Sequence, residues 1–168
     1  MSREEKPKRG LLARLEQGFV LCAEGCLFEL ERPGRLQDGY YVPEAALDHP
    51  ESLKEPRREF VDAGSDVVEA FTYNAHRGKM RVIGKEHLLE PLNRAALAIA
   101  RAVAAEIPGE PPLVAGNVSN TNLFDPKSAK SSAQVRGRFE EMCGWALDAG
   151  VDFIIGETFY CIRKFQNR

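Results

Sequence analysis

Four short polar groups stand where chemistry can be done: Glu24-Gly25-Cys26, Thr72-Tyr73-Asn74, Ser119-Asn120-Thr121 and Glu157-Thr158-Phe159. Each follows a short apolar run. By residue type alone, Glu24 and Glu157 either serve a site or pair with arginines on a following helix. Asn74 and Asn120 suit turns, where their amides bond to nearby backbone. Tyr41 either packs or faces a ligand. The four cysteines are Cys22, Cys26, Cys143 and Cys161, and no pair has C-x-x-C spacing. Cys22, Glu24 and Cys26 alternate, so on one strand they would point to one side. Residue 26 falls past that strand, no third thiol is near, and zinc sites show paired ligand spacing. The thiols are therefore read as free, small buried hydrophobes. His49, His76 and His87 lack i,i+4 pairing and are read as surface or capping residues. Arg57, Arg58, Lys79 and Arg81 are read as solvated charges.

These groups need elements to hold them. Leu11 to Leu15 is a short apolar turn ending near Gly18, and residues 19–23 (FVLCA) predict a fully buried strand. A short helix through Leu27, Phe28 and Leu30 closes at Pro33-Gly34. Pro43 to Leu47 predicts another, and Pro50 opens a third that reaches Ala63, with Gly64 at its C′ position and a kink at Pro56. Residues 66–71 (DVVEAF) predict a strand, and residues 79–84 a loop. Pro91 opens a long helix with Leu92, Ala95, Ala96, Ile99, Ala100 and Val103 on one face. Residues 113–118 (LVAGNV) predict the third strand. A helix follows, with Ser131 and Gln134 as a capping box and Gly150 at its far end. Residues 151–155 predict the fourth strand. The alternation implies βα units on a parallel sheet, an α/β fold whose chemistry collects at the carboxyl ends of the strands.

Composition sets limits. Of 168 residues, 43% are apolar and 29% charged, with 23 Lys+Arg against 25 Asp+Glu and a net charge of −2. That is enough apolar material for a core. The near-neutral balance argues against a dedicated nucleic-acid binder. No apolar run approaches the roughly 20 residues of a membrane span. The start, MSREEKPKRG, is charged and lacks an apolar h-region, so residues 1–9 are expected to be a solvated arm and the location cytoplasmic.

Six segments together resemble the homocysteine S-methyltransferase family, most closely its betaine–homocysteine branch. They are GLLARLEQG (10–18), AEG (23–25), DGYYVPEAALDHPE (38–51), REFVDAGSDVVEAFTYNA (58–75), LVAGNVSNT (113–121) and VDFIIGETF (151–159). The resemblance implies a (βα)8 TIM-type barrel, of which residues 10–160 would be the first four strands and helices, with 161–168 an atypical tail. It implies zinc as cofactor, held by three cysteines in segments that have no counterpart here. It implies homocysteine as substrate, with Glu24 and Glu157 on its amino group and Gly25 allowing close approach of the substrate. Tyr41 would face the quaternary ammonium of a methyl donor. Asn74 and Thr158 stand where the betaine enzymes have aromatics, so the donor is left open between betaine and other donors such as S-methylmethionine or methylfolate. The implied reaction passes a methyl group from an onium donor to homocysteine, giving methionine. This chain alone is expected to be inactive. The competing expectation is a non-catalytic half-barrel acting as a binding module, whose unpaired strands and uncovered apolar face favour a homo-oligomer.

Overall fold

The computed structural model describes residues 8–23, 25–30, 44–121 and 123–159. Among them helices and strands alternate as follows. The first four helices are α1 (Leu11–Leu15), α2 (Cys26–Leu30), α3 (Ala45–Asp48) and α4 (Pro50–Asp62). Then come β1 (Val67–Glu69), α5 (Arg77–Val82), a 3-10 turn at Glu86–Leu88, and α6 (Leu89–Glu106). The chain continues with β2 (Leu113–Ser119), α7 (Ala129–Asp148) and β3 (Phe153–Glu157).

The sheet is parallel throughout, in the order β1-β2-β3. β2 is buried along its whole length, as a near-continuous apolar run between two partners requires. Alternation of side chains then divides the sheet into two faces. Val68 and Val114 pack against Leu97, Ala100 and Val103 of α6 and Ala146 of α7. Val67, Leu113 and Ala115 form the opposite face, with Val20, Cys22, Phe153 and Ile155 against them. Helix α6 buries Leu92, Ala96, Ile99, Ala100 and Val103, the stripe its spacing predicts. Gly116 is where α7 meets the sheet. A Cβ there would lie 2.8 Å from the Ile154 side chain and 3.1 Å from that of Ala146, so only glycine lets helix and strand approach this closely.

Several expectations change. Residues 19–23 make a single parallel bridge, Cys22 to Val67, instead of a ladder. Two of their side chains, Phe19 at 96% and Leu21 at 60% exposure, face solvent. What holds the segment is polar. Leu21 N–H donates to the Asp66 carboxylate at 2.9 Å, Asp66 N–H to Leu21 C=O at 2.8 Å, and Ala23 N–H to Ser65 Oγ at 3.1 Å. The expected loop at 79–84 is instead helix α5 with Met80 fully buried among Ala75, Leu89 and Leu92, so one anchored side chain replaces a periodic stripe. Helix α7 starts before the expected box. Ser128 is its N-cap, accepting from Ser131 N–H at 3.2 Å, while the Ser131 hydroxyl bonds to the Asp125 backbone. Helix α4 runs on through Pro56, whose ring is buried. Gly64 and Gly150 close α4 and α7 as expected. Cys22, Cys26 and Cys143 are only partly buried, and Cys161 lies outside the described residues.

The histidines divide. His49 and His87 are exposed. His76 takes the N-cap position of α5, but its side chain makes no capping bond and is not at the surface: it is 2% exposed, and neither ring nitrogen has a partner among the described residues. Burial, with Lys79 and Arg138 close by, holds its pKa at about 4 instead of the ordinary 6.5. Between these values the unfolded chain takes up a proton that the folded chain refuses. Stability therefore falls as pH drops from 6.5 toward 4, by about 2 kcal/mol once screening by solvent is discounted. Urea titrations at pH 7.0 and 4.5 will show this loss in the wild type and a smaller one in His76→Gln. Equal losses in the two proteins refute the assignment.

Candidate functional site

The parallel register brings all three strand ends to one side of the molecule. Ala115 stands opposite both Glu69 of β1 and Phe153 of β3, and Ser119 stands opposite Glu157. Glu69, Asn117 and Glu157 therefore step across the carboxyl edge on the face that carries Val67 and Ala115. They line a cleft of about 360 Å³. Its walls are mostly apolar, with Phe60, Val67 and Phe71 among them, and its polar groups are few. An apolar concavity with a few convergent polar groups is the usual form of a small-molecule site.

The loops around the cleft are tied to each other. The Thr72 hydroxyl donates to Asn117 C=O at 2.6 Å and accepts from Asn117 N–H at 3.2 Å. Ser119 Oγ donates to Tyr73 C=O at 2.5 Å. The Tyr73 hydroxyl meets Thr158 Oγ1 at 3.0 Å, joining the loops after β1 and β3. Asn93 of α6 reaches back to Ala75 C=O at 2.8 Å and holds the first of those loops to the helix layer. Lys79 donates to Asn74 Oδ1, and its ammonium lies 5.1 Å over the Tyr73 ring, so one face of that ring already carries the protein's own cation.

Arg57 of α4 reaches the cleft from below. Its Nε donates to Glu69 C=O at 2.9 Å, and its Nη1 donates to Leu53 C=O at 2.6 Å and to Cys26 Sγ at 3.3 Å. Glu69 in turn accepts from the Asn117 amide. Burial pushes the Cys26 thiol up, and the Arg57 guanidinium opposes this less strongly. Arg57 is not the solvated charge its residue type suggests, because it is only 3% exposed. Its neighbour Arg58 does face solvent and pairs with Glu106 at 2.6 Å. Arg57, Glu69 and Asn117 are the cleft residues that sequence reading missed. The clue was available in α4, where Leu53, Pro56 and Arg57 fall on one helical face.

Of the predicted site residues, Gly25, Asn74, Glu157 and Thr158 line this one cleft. Gly25 has φ +91°, a conformation that favours glycine and brings bare backbone to the cleft wall. Thr158 has φ +54°, which is strained for a β-branched residue and sits at the edge of the cleft. Glu24 and Tyr41 lie outside the described residues. Among the described residues, no three His, Cys, Asp or Glu side chains are grouped to hold a metal ion. They therefore do not supply the ligand set of a zinc centre. No described helix is long and apolar enough to cross a membrane.

Comparison with known proteins was made on this basis. Residues 24–167 match the family model described as homocysteine S-methyltransferase. Betaine–homocysteine S-methyltransferase 1 of Xenopus tropicalis is 39% identical over 157 residues, which are 90% of this chain and 38% of the frog protein. The Sus scrofa protein of that name is 37% identical over 161 residues, covering 93% of this chain and 56% of its own length. Among solved structures, the metallated form of the homocysteine methyltransferase MmuM from Escherichia coli superposes with a TM-score of 0.70 at 21% identity. That superposition covers 88% of this chain and 56% of the bacterial one, and it supports the α/β architecture described above. The chain thus spans between about two fifths and just over half the length of the relatives it matches.

The Cys26 thiol provides a direct check on the geometry. A raised pKa leaves little thiolate at neutral pH, and thiolate is the reactive form. Peptide-mapped alkylation with iodoacetamide at pH 7.5 will modify Cys26 more slowly than free cysteine, and the rate will rise as the pH is raised. Reaction at the free-cysteine rate would show that the thiol is not held in this environment.

Proposed function

The chain belongs to the homocysteine S-methyltransferase family, and on that premise we propose that its cleft binds the amino-acid end of homocysteine for methyl transfer from an onium donor. The carboxylate of Glu157, with that of Glu24, takes the ammonium group. Gly25 lets the substrate backbone lie close, and Asn74 and Thr158 border the donor side together with Tyr41. The observation that carries this reading is that Gly25, next to Glu24 in sequence, and Glu157 line the same cleft from opposite ends of the chain. In this proposal residues 10–160 form one part of a (βα)8 barrel, preceded by a solvated arm at 1–9 and followed by a tail at 161–168.

The chemistry asked of the site is substitution at a methyl carbon. The sulfur of homocysteine forms the new C–S bond while the bond from methyl to the onium centre breaks, and its electron pair leaves with the donor. A thiol with pKa near 8.5 is a weak nucleophile at neutral pH. The zinc that the family resemblance implies would supply a thiolate, but its ligand set is not found among the described residues, so no step is derived through it. The described residues bind and orient the substrate. Phe60 and Phe71 add apolar walls that keep water away from the reacting end.

Binding is therefore the readout. Calorimetry of the 168-residue chain with homocysteine under reducing conditions will show saturable binding. Glu157→Gln, which keeps the shape and removes the charge, will weaken it by about tenfold or more, the usual worth of a charged hydrogen bond. The analogue without the amino group, 4-mercaptobutanoate, will bind wild type and Glu157→Gln equally. A folded wild type that ignores homocysteine sinks the reading.

A further inference from the structure

We propose that Arg57 is the carboxylate-recognition group of the cleft, taking the carboxylate of a zwitterionic ligand whose cationic end faces Glu157. This deepens the amino-acid reading above and rests on it. A guanidinium has five N–H donors and no acceptor. Three of those of Arg57 are spent on Glu69 C=O, Leu53 C=O and Cys26 Sγ. Two of these partners are neutral carbonyls, and they fix the orientation of the group without cancelling its charge. The third is a thiol that burial keeps protonated, so it supplies no counter-charge either.

The two donors on Nη2 have no hydrogen-bond partner among the described residues, and no carboxylate there forms an ion pair with the guanidinium. Yet the side chain is 3% exposed and lines the cleft. A buried cation is costly unless an anion is brought against it, and an anionic ligand group at Nη2 would lower that cost. The two free donors of Nη2 can give a carboxylate charge-assisted N–H···O bonds.

The rest of the cleft agrees. Its described charged residues are one cation, Arg57, and two anions, Glu69 and Glu157. One sign at the α4 side and the other along the sheet edge complement a molecule carrying both an ammonium and a carboxylate. Glu69 is already engaged by the Asn117 amide, which leaves Glu157 as the better partner for the ligand's cation. A carboxylate is shared by two candidate ligands, homocysteine and a betaine-type donor, and the experiment has an arm for each.

The test is calorimetry on the 168-residue chain under reducing conditions. One arm compares homocysteine with 3-aminopropane-1-thiol, which lacks only the carboxylate. The other compares betaine with choline. In the wild type the carboxylate-bearing member of at least one pair will bind about tenfold to a hundredfold more tightly. The pair that shows the ratio identifies the source of the carboxylate. Arg57→Gln will bring that ratio to near one while leaving the preference for homocysteine over 4-mercaptobutanoate in place. Arg57→Lys, which keeps the charge and loses the Nη2 donors, will retain part of the ratio and covers the case in which the glutamine variant does not fold. A wild type that binds both members of each pair equally overturns the proposal, as does a folded Arg57 variant with the wild-type ratio. A wild type that binds none of these ligands overturns the amino-acid reading itself, and this proposal with it.

Discussion

Everything at this site depends on a ladder. β2 pairs with β1 on one side and β3 on the other, both parallel, through Ala115 and its neighbours. Parallel pairing sends every strand's carboxyl end the same way, so residues more than 80 apart in sequence arrive at one rim. Glu69, Asn117 and Glu157 are the result. Antiparallel pairing of the same strands would send the carboxyl end of β2 to the edge opposite those of β1 and β3 and take Asn117 out of the shared rim. The ladder holds because both faces of β2 are buried, the sheet helices covering one face and the residues around Val20 and Phe153 the other.

The polar interior is organised around that ladder instead of against it. Asn117 is a strand residue, yet its backbone is gripped by Thr72 and its amide reaches Glu69. Its Oδ1 is left without a partner among the described residues. Arg57 spends its donors on backbone that helix α4 and strand β1 leave available. Such groups cost stability unless they are satisfied, and a binding site is where a fold retains unsatisfied ones. The same reasoning separates His76 from the cleft. It too is buried and unpartnered, but its neighbours are the cations Lys79 and Arg138, so it is held neutral.

Family membership and local geometry answer different questions. The family match speaks for membership, and the solved-structure match for the fold. The described cleft shows which side chains of this chain lie together, and it includes residues for which the resemblance implied no role. Arg57 and Asn117 are examples. The described aromatics of the cleft are Phe60, Phe71 and Tyr73, and Lys79 lies over the Tyr73 ring.

The amino-acid sequence by itself determined the layered α/β class, β2, β3 and the long helices α6 and α7. These have strong local signals: apolar runs bounded by glycine and polar residues, and a 3.6-residue stripe. Tertiary structure decided the rest. Residues 19–23 look like a buried strand, but their pairing needs a partner edge, and Asp66 and Ser65 hold them by polar contacts around one bridge. Helix α5 has a single anchoring residue, Met80, which carries no periodicity to read. Arg57 and His76 have residue types that favour the surface, and whether a charge is buried depends on which elements close over it. That closure is a property of the packed chain, because the groups that surround Arg57 come from α2, α4 and β1 at once.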